Sequence, residues 1–132
     1  TMPSEPTVLR TVIIEDNAVL LDLLTGMLAG IEGVSVVGHA ASEAEALALV
    51  RATRPQLAIV DLELRGSSGL GVLAAFQQTP DEYGAPLAIV FSNHAHPIVQ
   101  SRCLALGARA FFDKSFQMDD LLDFVQATAR AL

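Results

Sequence analysis

The chain has 132 residues, the size of one domain rather than two. Hydrophobic residues make up 52% and charged residues 17%, which excludes a disordered chain and supplies a sizeable core. The balance of 15 acids against 8 bases, net −7, excludes the clustered positive face that nucleic acid or an anionic membrane surface demands. A single cysteine, Cys103, rules out an internal disulfide, and no apolar run reaches the length of a membrane span. Residues 1–7, TMPSEPT, are polar and carry no secretory pattern. They read as a disordered segment in which Thr1 ahead of Met2 is a cloning remnant, followed by one domain over 8–132. The expected location is cytoplasmic.

Val8 to Ile14 predicts a first strand ending on Glu15-Asp16. Asn17 to Ala29 predicts a helix with Leu20, Leu24, Met27, Leu28 and Ile31 toward the core. Val34 to Val37 is the second strand, and Ser42 with Glu45 forms a capping box for a helix that Pro55 stops. Leu57 to Val60 is the third strand, delivering Asp61. Gly66 to Gly69 is a turn and cap ahead of a helix from Leu70 to Gln78. Thr79 to Pro86 reads as a polar loop, and Leu87 to Phe91 as the fourth strand, delivering Ser92. Pro97 opens a helix ending near Gly107. Arg109 to Phe112 is the fifth strand, delivering Asp113-Lys114, and Gln117 to Leu132 is the last helix.

Alternating strands and helices with short connections predict an α/β, flavodoxin-like, doubly wound (βα)5 fold. The strand runs are continuously apolar, as a parallel sheet covered on both faces requires. Leu57-Ala58-Ile59-Val60 recurs as Leu87-Ala88-Ile89-Val90, which reads as two central strands under one constraint. In such sheets ligands bind beyond the carboxyl ends of the strands, where the strand order reverses. With order 2-1-3-4-5, Glu15, Asp16 and Asp61 converge at that point, and Ser92 and Lys114 stand at the same edge. Packed carboxylates repel, and Mg2+, a hard cation taking oxygen ligands, relieves that repulsion. Lys114 is the only lysine, the other seven bases being arginine. Its compact ammonium suits a carboxylate or a phosphoryl group. Together these groups describe phosphoryl transfer onto Asp61 as a carboxylate nucleophile.

The ordered elements Ile13-Ile14-Glu15-Asp16-Asn17, Ile59-Val60-Asp61-Leu62, Gly69-Leu70, Phe91-Ser92, Gly107-Ala108 and Phe112-Asp113-Lys114 span nearly the whole chain. On them the sequence resembles the receiver domains of two-component response regulators, of the LuxR/NarL class or stand-alone relatives. The resemblance implies that Asp61 accepts a phosphoryl group from a histidine kinase, a phosphotransfer protein or a small donor such as acetyl phosphate. It implies Mg2+ held by Glu15, Asp16, Asp61 and the backbone carbonyl of Glu63, with Lys114 neutralising phosphoryl charge. Ser92 would turn toward the phosphoryl group and Phe111 would follow as the aromatic switch residue. A face formed by the fourth helix, fifth strand and fifth helix would then change. Such a domain is a signalling phosphoacceptor that catalyses only its own phosphorylation and dephosphorylation. Two departures from the family pattern stand out: Ser115 replaces the common proline after the lysine, and Phe111 replaces tyrosine.

Two rivals come from other classes: a pseudo-receiver that binds partners without phosphorylation, and a haloacid-dehalogenase-like phosphatase suggested by Asp61-Leu62-Glu63. Glu63 is either a residue of the site mouth or a solvated loop carboxylate. Asn93 and His94 stand at the same rim. His94 and His96 lack the spacing and company of metal ligands, and Cys103 reads as a small core residue. On the last helix Leu121, Val125, Thr128 and Leu132 form the core stripe, flanked by Leu122 and Phe124. The apolar arc is about 160° wide, wider than packing on a sheet requires. Leu122 and Phe124 are therefore candidates for a homodimer or partner surface. Val19, Leu21 and Leu23 on the first helix make a competing one.

Overall fold

The structure, a computed structural model, describes residues 7–132. The segment expected to be disordered lies, but for Thr7, outside the described residues. Along the chain come β1 (Leu9–Ile14), α1 (Ala18–Ala29), β2 (Val34–Ala40), α2 (Glu43–Thr53) and β3 (Leu57–Val60). They are followed by α3 (Gly69–Gln78), β4 (Leu87–Ser92), α4 (Pro97–Ala105), β5 (Ala110–Asp113) and α5 (Met118–Arg130). A ribbon of Glu63–Leu64 with Ser67–Ser68 and a one-turn helix, Pro80–Tyr83, stand outside this numbering.

The five strands pair in parallel in the order β2-β1-β3-β4-β5, as the expected flavodoxin-like topology requires. Successive strand residues face opposite sides of a sheet. Accordingly Val12, Ile14, Ala58, Val60, Ala88 and Val90 pack with α2, α3 and α4 through Val50, Val72 and Cys103. Ile13, Leu57, Ile59, Ile89 and Phe91 pack with α1 and α5 through Leu24, Leu28, Leu121 and Val125. Each Val, Leu or Ile among them, once buried, contributes about 1.5–3 kcal/mol. The repeated Leu-Ala-Ile-Val runs are neighbours, pairing residue for residue in β3 and β4. Cys103 is buried in this core, and burial pushes its thiol pKa up.

Local signals act where the sequence placed them. Ser42 Oγ accepts from the Glu45 amide, and Glu45 Oε2 accepts in turn from Ala41, one residue earlier than the capping-box pattern. Helix α2 ends ahead of Pro55, whose ring disfavours helical backbone at the preceding residue; Arg54 closes it in a left-handed conformation (φ 45).

The structure corrects several expectations. The second strand runs past Val37 to Ala40, because Ile14 and its neighbours extend β1 far enough to pair with it. The loop over 79–86 is not simply polar: Tyr83 is buried against Phe76, with ring centroids 5.3 Å apart. Met27 and Leu132, expected toward the core, are exposed. Leu132 lies beyond the end of α5, and Met27 continues an outer ridge with Val19 and Leu23 at four-residue spacing. Leu21 by contrast packs against the core. Leu122 and Phe124 are half-buried against it, and the Phe124 ring meets Phe112 edge-on at 5.7 Å. The most exposed aromatic is Phe116, 86% accessible, in the turn before α5.

Candidate functional site

Strand order reverses at β1, which has β2 on one side and β3 on the other. The backbone ladder continues past the strand ends at this edge. Glu15 N–H donates to Ala40 at 2.8 Å, Asp61 N–H to Ile14 at 2.9 Å and Lys114 N–H to Ser92 at 3.0 Å. These bonds hold the expected site residues on the sheet itself rather than on free loops. Gly69 presses on the same place: a Cβ there would lie 2.1 Å from the Asp61 carbonyl oxygen, so only glycine lets α3 begin so close.

Glu15 and Asp61 are buried, and Asp16 stands exposed beside them. One carboxylate oxygen from each lies within 4.8 Å of the others. Lys114 bridges the two buried acids, its Nζ 2.6 Å from Glu15 Oε1 and 2.9 Å from Asp61 Oδ2. Asn17 caps α1 through its side chain and donates its N–H to Glu15 Oε2 at 3.0 Å. Burial raises the Glu15 pKa above its ordinary 4.5, with the Asp61 charge adding to the rise; Lys114 and the Asn17 amide oppose it. Burial also works against the Lys114 ammonium. Its hydrogen bonds to Glu15 and Asp61 outweigh that and hold its pKa above the ordinary 10.5. Three acids facing one ammonium leave the ionised cluster with excess negative charge.

That donor set fits a hard divalent cation. All its ligand atoms are oxygens, and oxygens sharing one Mg2+ lie at most about 4.2 Å apart. The observed spread is close enough for small side-chain rotations to gather the set. The Glu63 carboxylate is not among these oxygens. It is exposed and meets His94 Nε2 across the mouth of the site.

Ser92 is fully buried, its Oγ accepting the His94 N–H at 3.1 Å. Phe111 is half-buried, paired with Val90 in the sheet and packed against the core beside α4. The peptide bonds of the described residues are all trans, including Lys114-Ser115. The turn there is held by Asp113, whose Oδ1 accepts from Ser115 at 2.8 Å, and by Gln117 Oε1, which accepts from Asp113 at 2.9 Å. His96 caps α4 through Nδ1, which accepts the Ile98 N–H, so it has a structural duty.

Sequence reasoning placed Glu15, Asp16, Asp61, Ser92 and Lys114 at one edge, and the fold brings them there. It missed the Glu15–Lys114 ion pair, the Asn17 contact, the close approach of Gly69 and the Glu63–His94 contact. Asn17 carried a usable signal, an Asx residue at a helix start directly after two acids.

Comparison with known proteins agrees with this arrangement. The family model for the response regulator receiver domain matches residues 11–126. A protein-glutamate methylesterase/protein-glutamine glutaminase of Anaeromyxobacter dehalogenans is 36% identical over 107 residues, covering 80% of this chain and 30% of that protein. The transcriptional regulatory protein YvfU of Bacillus subtilis is 29% identical over 118 residues, covering 89% of this chain and 58% of that one. The chain thus spans about a third to three-fifths of these relatives' length. The receiver domain of NarL from Mycobacterium tuberculosis superposes with a TM-score of 0.84 at 27% identity, covering 96% of this chain and 100% of that one. With the acids, the lysine and the sheet edge in register, this chain belongs to the response regulator receiver domain family, the phosphoacceptors of two-component signalling.

Proposed function

We propose that Asp61 is the phosphoacceptor and that the phosphoryl group comes from a phosphohistidine on a histidine kinase or phosphotransfer protein. The observation that carries this reading is the Lys114 ammonium bridging buried Glu15 and Asp61, with Asp16 exposed beside them. An Asp61 carboxylate oxygen forms a bond to phosphorus while the P–N bond of the phosphohistidine breaks, its electron pair staying with the imidazole. Lys114 then offers its charge to the phosphoryl oxygens that Asp61 carries. Glu15, Asp16, Asp61 and the backbone carbonyl of Glu63 would hold Mg2+, which when bound offsets the repulsion among the acids and the incoming phosphoryl oxygens. Ser92 turns toward the phosphoryl group, Phe111 follows, and the surface of α4, β5 and α5 changes for a partner or a second copy, with Leu122 and Phe124 at its edge. The domain acts on its own phosphorylation state and on no other substrate.

Three observations bear on the surrounding assignments. Among the described residues no helix is long and apolar enough to cross a membrane. The net charge of −7 disfavours direct contact with nucleic acid. The separation of the Glu63 carboxylate from the cluster disfavours a paired-acid phosphatase.

Incubation with acetyl phosphate and Mg2+, followed by intact mass measurement, tests the reading. One added phosphoryl group is expected, absent when Mg2+ is chelated and absent in Asp61→Asn. A gain that survives Asp61→Asn refutes the assignment, and no gain in the unaltered protein favours the pseudo-receiver.

A further inference from the structure

The contact between His94 Nε2 and Glu63 Oε1 has no part in the reaction above, yet it spans the mouth of the site. A carboxylate only accepts, so Nε2 carries the proton in this pair. Each partner also reaches inward through its main chain. Glu63 N–H lies 3.4 Å from Asp61 Oδ1, and His94 N–H donates to Ser92 Oγ at 3.1 Å. Asp61, Glu63, His94 and Ser92 are therefore linked in a line of three contacts that joins two loops 31 residues apart in sequence.

That line matters because of what it does to Ser92. The His94 amide takes one lone pair of the hydroxyl, leaving its proton free but fixing where Oγ stands. Turning Oγ inward with the chain fixed would strand the His94 N–H, so carrying the chain at Asn93–His94 along with Oγ is the less costly movement. That movement draws the imidazole away from Glu63. Resting on the assignment of Asp61 as phosphoacceptor, we infer that His94 is a positioning residue that couples the phosphoacceptor loop to the switch hydroxyl. Its ring on Glu63 holds the β4–α4 loop, and with it Ser92 Oγ, in the unphosphorylated arrangement. Phosphorylation opens this strap, so the strap biases the resting state. Both side chains are more than half exposed, which sets the bias at that of a surface pair.

The test is the affinity for beryllofluoride with Mg2+, a stable mimic of the phosphoryl group, measured by calorimetry at one fixed pH. His94→Ala should bind it about two- to fivefold more tightly, the range of a surface pair. His94→Gln, which keeps an N–H donor at similar reach, should stay near the unaltered protein. Combining His94→Ala with Glu63→Ala should add nothing to Glu63→Ala alone, because both remove one contact. In a Ser92→Ala background, His94→Ala should have no effect. Unchanged affinity in His94→Ala, additive gains in the double variant, or an equal gain without the Ser92 hydroxyl would each overturn the coupling. Failure of the unaltered protein to bind beryllofluoride would instead overturn the phosphoacceptor reading beneath it. Binding that ignores His94 would sink the strap alone.

Discussion

The two ends of the sheet hold their charges in opposite ways. At the carboxyl end, Glu15, Asp61 and Lys114 are nearly buried, and with Asp16 the acids outnumber the single ammonium. At the other end, the guanidinium groups of Arg10, Arg51 and Arg54 each find acceptors. Arg10 donates to the carbonyls of Thr53 and Arg54 that close α2, and Arg54 to those of Asp81 and Glu82. Arg51 pairs with Glu82 at 2.6 Å, reaches the Tyr83 hydroxyl at 3.0 Å and stacks over that ring. The first end is left with excess negative charge, which a bound cation would offset. The second is closed upon itself and fastens the one-turn helix to α2. Unsatisfied charge marks the working end, and satisfied charge marks the frame.

Damage at the two ends should therefore look different. Tyr83→Ala empties a buried site against Phe76 and should cost about 4 kcal/mol in urea unfolding. The phosphoryl uptake of the remaining folded protein should not change; a loss of uptake would mean that the frame also shapes the site. Lys114→Met leaves two buried carboxylates without their ammonium and should cost about 3 kcal/mol in metal-free buffer. Mg2+ should return more stability to this variant than to the unaltered protein, while phosphoryl uptake collapses. Equal Mg2+ effects on both would contradict a shared cluster.

A smaller, graded effect should appear with pH. The Glu15 pKa is raised by burial, so in the metal-free protein this residue favours folding at low pH. That contribution is full below the ordinary value of 4.5 and fades as pH rises through the folded value. Mg2+ needs the carboxylate, so its affinity should fall as pH drops through that range, with proton release on binding. Lys114, whose pKa is raised, stays charged throughout. Calorimetric titrations in buffers of different ionisation enthalpy read both quantities. In Glu15→Gln the part of this dependence that Glu15 contributes should vanish.

Much of this contrast was legible in the sequence, but unevenly. The working end announces itself because acids and a lone lysine follow uninterrupted apolar runs, and each run must end at the same edge of a parallel sheet. The frame is nearly silent: Tyr83 sits in a polar stretch, and its burial depends on Phe76 in α3 and Arg51 in α2. The Glu63–His94 contact is hidden for the same reason, joining two loops that only the strand order brings together. The wide apolar arc of α5 suggested a surface; Phe124 on Phe112 shows that part of it serves packing. The exposed Phe116 has no periodicity to betray it, since it lies in a turn.

On the proposed reading, the unbalanced end accepts a phosphoryl group at one carboxylate, that of Asp61. Borohydride reduction of the phosphorylated protein converts an aspartyl phosphate into the corresponding alcohol, and peptide mass spectrometry then locates it. A single reduced position is expected, residue 61, seen only when acetyl phosphate and Mg2+ were both present. A reduced residue at 15, 16 or elsewhere, or none in protein shown by intact mass to carry phosphate, would contradict it.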